Sequence, residues 1–64
     1  MSGDELRKRR EAARIKGYEL AAAMGKHSSR VSQIEALAQV TPEAEAQYLA
    51  ALGRCLVAKT SVVV

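Results

Sequence analysis

The sequence contains no tryptophan and no phenylalanine; its only aromatic residues are Tyr18 and Tyr48. A core must therefore come mainly from Ala, Leu and Val. There is one cysteine, Cys55, and one histidine, His27. A lone cysteine forms no intrachain disulfide, which excludes a small secreted scaffold stapled by several bridges. One Cys and one His fall short of the four ligands of a structural zinc site. No uncharged run approaches the ~20 apolar residues of a membrane span. No basic-then-apolar segment opens the chain. The expectation is a soluble intracellular protein with no membrane partner, no metal and no cofactor.

What is present fits one small domain. The chain has 64 residues, 48% hydrophobic and 27% charged, with a formal net charge of +3. That length leaves no room for separate cofactor and substrate domains, and no acid–base pair stands out, so no enzyme is expected. Residues 1–17 carry six basic side chains (Arg7, Lys8, Arg9, Arg10, Arg14, Lys16) against three acidic ones. Residues 18–64 carry four of each sign. A basic end on a small domain points to a polyanionic partner, and a solvated helix face accounts for the same charges.

The pattern is helical throughout. Ser2 or Asp4 can cap a first helix, whose inward candidates are Leu6, Ala13 and Ala12, and Gly17 marks a break. Residues 18–24 form a short Ala-rich second helix with Leu20, Ala21 and Met24 on one face, closed by Gly25. The hydroxyls at Ser28 and Ser29 are candidate caps for a third helix that buries Val31, Ile34, Leu37 and Ala38. Thr41-Pro42-Glu43 is a strong start for a fourth, with Tyr48, Leu49 and Leu52 as its buried stripe. That helix ends at Gly53 or runs to about Ala58. Residues 60–64 are rich in β-branched side chains, so the tail is open between strand, helix and disorder.

Two short helices joined at Gly25 form the informative stretch. Ala21 allows close helix approach, Gly25 permits a positive φ, and Val31 and Ile34 lock the second helix against the first. Here the sequence resembles the phage-repressor (Cro-like, xenobiotic-response-element type) helix-turn-helix regulators. The similarity runs from about Leu6 to Gly53. It rests on Leu6-Arg7-Lys8-Arg9-Arg10-Glu11-Ala12-Ala13, on Glu19-Leu20-Ala21 with Met24-Gly25, and on Ser28-Ser29-Arg30-Val31-Ser32-Gln33-Ile34-Glu35. Thr41-Pro42 and residues 49–53 match the fourth helix. The fold implied is all-α: a compact four- to five-helix DNA-binding domain, with a short C-terminal strand or arm as an option. Residues 1–53 would be the helix-turn-helix domain and 54–64 a dimerisation tail.

The resemblance implies a sequence-specific double-stranded DNA-binding regulator, a dimeric repressor reading a palindromic operator through its third helix. Base readout would fall to Ser28, Ser29, Arg30, Ser32 and Gln33, since Gln pairs bidentately with adenine and Ser is permissive. Phosphate contacts would fall to Arg10, Arg14, Lys16, Gly17, Tyr18, Lys26 and His27. Arg10 also matches, with Glu35, a family pair that ties the first helix to the third. The homodimer interface would use Leu52, Cys55, Leu56, Val57, Val62 and Val63. No small-molecule effector is expected, and the location implied is the cytoplasm of a bacterium or phage-infected cell. The sequence departs from the family in three places. Gly17 stands where Gln is usual, and Lys26 replaces an apolar residue. Ala36-Leu37-Ala38 replaces an early Gly, so the third helix is expected to run long. The competing reading is a protein-interaction module, such as an antitoxin or an adaptor that keeps the helix-turn-helix as scaffold.

Overall fold

The computed structural model describes the backbone of residues 1–61 and the side chains of residues 1–59. The described residues form four helices and no strand: α1 (Gly3–Ala12), α2 (Gly17–Met24), α3 (Ser28–Glu35) and α4 (Pro42–Ser61). None of these helices is long and apolar enough to cross a membrane.

Local chemistry sets most of the boundaries. Ser2 caps α1, its side chain accepting the Glu5 amide at 3.2 Å, and Asp4 and Glu5 sit at the positive end of the dipole. Thr41 caps α4 by accepting the Ala44 amide at 3.2 Å, with Pro42 in the first helical position. α2 ends at Gly25, whose φ of 70° lies in the left-handed region. There the Lys26 amide donates to Ala21 O at 3.0 Å and the Gly25 amide to Ala22 O at 3.1 Å, which satisfies two terminal carbonyls. α1 ends in the same way, but with Arg14 at φ 58° instead of a glycine. The Ile15 and Arg14 amides donate to Arg10 O and Glu11 O. A left-handed arginine costs roughly 1 kcal/mol. Lys59 of α4 donates to the carbonyl of this same residue.

The core is aliphatic with one exception. Leu6, Ile15, Leu20, Ala21, Val31, Ile34, Val40, Ala44, Ala51 and Leu52 surround Tyr48, whose ring is fully buried. α2 lies between α3 and α4, and α1 packs on the same two helices. The N-terminus of α1 abuts the last turn of α3, where the Gly3 amide donates to Leu37 O at 2.8 Å. A Cβ at Gly3 would lie 2.4 Å from Ile34 O and 2.5 Å from Glu35 O.

Several expectations change. α3 ends at Glu35 and does not run long, because residues 37–40 turn outward to let Val40 back into the core. Leu37 and Ala38 are therefore exposed, and so is Ala12. Gly17 opens α2 and is not itself the break, which falls at residues 13–16. α4 passes through Gly53 without interruption, so no break separates residues 1–53 from the segment after them. Residues 54–61 continue that helix and form neither strand nor arm; residues 62–64 lie outside the described residues.

Candidate functional site

α3 presents a polar, uncharged face. Val31 and Ile34 point inward and are 1% exposed. At about 100° per residue, Ser29, Ser32, Gln33 and Ala36 fall within an arc of roughly 100° on the opposite side. All four are exposed. The structure thus brings together three of the five candidate base readers, Ser29, Ser32 and Gln33. Ser28 and Arg30 sit on the two flanks, and Arg30 lines a cavity with His27 and Thr41. The cap of α3 is His27 and not a serine hydroxyl. Its Nδ1 accepts the Ser29 amide at 3.2 Å, and Ser29 Oγ lies 3.0 Å from the same nitrogen.

Behind this face, α3 is tied to the rest of the molecule by a polar cluster. Arg10 Nε donates to Glu35 Oε2 at 2.7 Å, and Nη2 to Oε1 at 3.2 Å, a two-pronged pair. Arg10 Nη1 donates to Ile15 O at 2.9 Å. The Tyr48 hydroxyl donates to Glu35 Oε2 at 2.5 Å and lies 3.2 Å from Leu6 O. The hydrogen bonds to Glu35 push the Arg10 pKa up, against the desolvation that opposes it. Burial, then the Glu35 carboxylate, push the Tyr48 pKa well above that of a free tyrosine. Among the described residues, no buried side-chain nitrogen or oxygen lacks a partner. The family resemblance implied the Arg10–Glu35 pair; the part played by Tyr48 was missed. The available signal was that a buried tyrosine in an aliphatic core needs an acceptor for its hydroxyl.

This cluster carries a pH dependence. Tyr48 stays neutral in the folded protein past the pH of about 10 at which an unfolded tyrosine ionises. Its contribution is fully present below that pH and falls as pH rises through and beyond it. Tyr48→Phe should lower stability by about 1.5 kcal/mol or more near neutrality, the range for a hydrogen bond to a charged acceptor. It should also remove part of the alkaline loss, which urea unfolding at about pH 8 and about pH 11 will reveal. Equal alkaline slopes in both proteins would reject the role assigned to this hydroxyl.

The candidate phosphate contacts separate into two kinds. Arg10 is directed inward: it is half-buried and all three guanidinium nitrogens serve the fold, so it is withdrawn as an anion contact. Lys16, Gly17 and Tyr18 stand together at the start of α2, with Lys16 Nζ 5.8 Å from the centre of the Tyr18 ring. Lys16 provides no side-chain cap to the α2 amides. Arg14 lies just before them, and Lys26 and His27 occupy the turn into α3; all are exposed.

Charge is also distributed differently from the sequence count. Arg7 and Lys8 lie near Asp4 and Glu11 along α1, Arg10 is held by Glu35, and Lys59 approaches Glu19. Among the described residues the cations outside any salt bridge are Arg9, Arg14, Lys16, Lys26, Arg30 and Arg54. The positive surface thus follows α2 and its turns more than α1.

The candidate dimer residues divide as well. Leu52 is 6% exposed and belongs to the core of its own chain, so it is withdrawn from the interface. Cys55 is half-buried, its sulfur 3.7 Å from Glu19 O. Leu56 and Val57 are 42% and 68% exposed, and Val62 and Val63 lie outside the described residues. No family model, no curated protein and no solved structure matches this chain.

Proposed function

We propose that the chain is a sequence-specific double-stranded DNA-binding transcription regulator of the phage-repressor helix-turn-helix kind. In this reading α3 is the recognition helix and acts by occupying an operator, which blocks polymerase or another regulator. The observation that carries it is the exposed, uncharged face of Ser29, Ser32 and Gln33, flanked by Lys26 and Arg30, which are in no salt bridge among the described residues. Uncharged donors and acceptors read base edges, and cations around them meet phosphates. The start of α2 adds support: its first amides have no side-chain cap, and such a helix end favours an anion. Lys16, Tyr18 and Arg14 would complete that contact.

A single domain of this size reads few base pairs, so the proposal includes a homodimer on a palindrome. Val57, with Leu56 beside it on the C-terminal part of α4, offers an apolar surface for the second copy. The reading implies the cytoplasm of a bacterium or phage-infected cell.

Selection from a random duplex pool, with a salt titration and a mass measurement in solution, tests this directly. An enriched palindrome bound by a dimer is the expected result. Gln33→Ala should then weaken operator binding by about 1–3 kcal/mol and leave random duplex affinity unchanged. Lys16→Ala should weaken both and flatten the salt dependence. No enrichment, with only weak salt-sensitive binding, would reject the reading and favour the protein-interaction module.

A further inference from the structure

Two open cavities of about 460 and 420 Å³ adjoin along α4, sharing Lys26 and Gln47 in their walls. Together they form a groove between α4 and the turn that joins α2 to α3. It reaches from Thr41 to Arg54, about 20 Å of helix, which matches an extended peptide of roughly six residues. Ser28, Ser29, Ser32 and Gln33 line neither cavity, so the groove is distinct from the outward face of α3.

Its walls have a definite chemistry. Met24, Ala46 and Ala50 give one half an apolar floor. Arg30, Lys26 and Arg54 are spaced along its length, opposed by one carboxylate, Glu43. Among the described residues none of these three cations is in a salt bridge, and the side chain of Arg54 has only a 3.4 Å contact with Ala23 O. Apolar floor and cationic rim complement a segment that alternates small apolar and acidic side chains. Single-stranded nucleic acid favours aromatic platforms for its bases, and neither tyrosine lines the groove.

We propose that this groove binds an acidic peptide segment of a partner protein. The carboxylates of that segment would meet Arg30, Lys26 and Arg54, and its apolar side chains would lie on Met24, Ala46 and Ala50. Arg30 and Lys26 would serve both ligands, so peptide and duplex would compete for them. The groove rests as well on Met24, Ala46, Ala50 and Arg54, which the DNA reading does not use, and so stands whether or not a duplex is selected.

The test is an NMR titration of the isotope-labelled full chain with a synthetic peptide alternating Glu and Ala, a matching Lys–Ala peptide, and random duplex DNA. The Glu–Ala peptide should shift amides of residues 24–27 and 44–54, with an effect that weakens as salt rises. The Lys–Ala peptide should leave them in place. Arg54→Glu combined with Ala50→Glu should weaken the Glu–Ala peptide about tenfold, whereas Gln33→Ala should not change its affinity. Both exchanges are on the exposed face of α4, and the mapping on the unaltered chain holds even if the double variant folds poorly. Absence of these shifts up to about 1 mM peptide overturns the proposal. Equal shifts with the Lys–Ala peptide overturn it too, as would duplex DNA moving Ala46, Ala50 and Arg54.

Discussion

Gly3→Ala should destabilise the protein by about 3 kcal/mol, the sum of overpacking and a weakened buried hydrogen bond. The new Cβ would meet Ile34 O at 2.4 Å and Glu35 O and C at 2.5 and 2.6 Å. These are backbone atoms of the last turn of α3, so no side-chain rotation relieves the clash. α1 must withdraw, and withdrawal stretches the 2.8 Å bond from the Gly3 amide to Leu37 O. It also parts an attractive pair of helix ends, the positive N-terminus of α1 from the negative C-terminus of α3. A chain of 64 residues has on the order of 3–10 kcal/mol of stability in total. The melting temperature should fall by roughly 15 °C, followed by circular dichroism. Gly53→Ala is the control of opposite sign. It lies in the exposed interior of α4 with no heavy atom within 4 Å of a Cβ, so alanine should add up to about 1 kcal/mol. A Gly3→Ala protein that melts with the parent would mean that α1 and α3 are not in this contact.

Glu35→Ala is the second large effect, expected at about 3 kcal/mol, at the low end of breaking a buried ion pair by removing one partner. Both side chains are mostly shielded, 14% exposed for Arg10 and 9% for Glu35. Removal leaves two guanidinium nitrogens without their acceptor and the Tyr48 hydroxyl with only Leu6 O, at 3.2 Å. Glu35→Gln keeps one acceptor and should cost about half as much. A double-mutant cycle of Arg10→Ala and Glu35→Ala should return a coupling of roughly 1–3 kcal/mol. Additive losses would show that the two side chains act separately.

Much of this architecture was legible in the sequence because local chemistry decided it. Gly25, Thr41-Pro42 and Ser2 mark helix ends that the backbone requires, and Leu20, Ala21, Val31 and Ile34 follow helical spacing. The misses share a cause. Ile15 stands alone between Arg14 and Lys16 in a turn, where no periodicity announces a core residue. Arg14 takes a left-handed conformation that glycine usually signals. Gly53 left the end of α4 open, and packing of Ala51, Leu52 and Cys55 carries the helix through it. Leu37 continues the apolar spacing of α3, yet the helix has already ended. The candidate site divides along the same line. The exposed face of α3 follows from its period, but the inward turn of Arg10 and the groove beside α4 depend on contacts between residues far apart in sequence.

That separation along the chain has a kinetic consequence. The contacts that hold α1 join Gly3 to Leu37, Arg10 to Glu35 and Leu6 to Tyr48, so each closes a long loop. α2 and α3 meet across three residues and need almost no loop closure. The α2–α3 pair is therefore the expected nucleus; α1 and α4, which also closes long loops onto α2 (Cys55 to Glu19, Arg54 to Ala23), are expected to dock later, with φ-values near zero in α1 as the check. Weakening α1 should then shorten the lifetime of the folded molecule more than it slows its formation. On that expectation the first helix sets how long the fold persists.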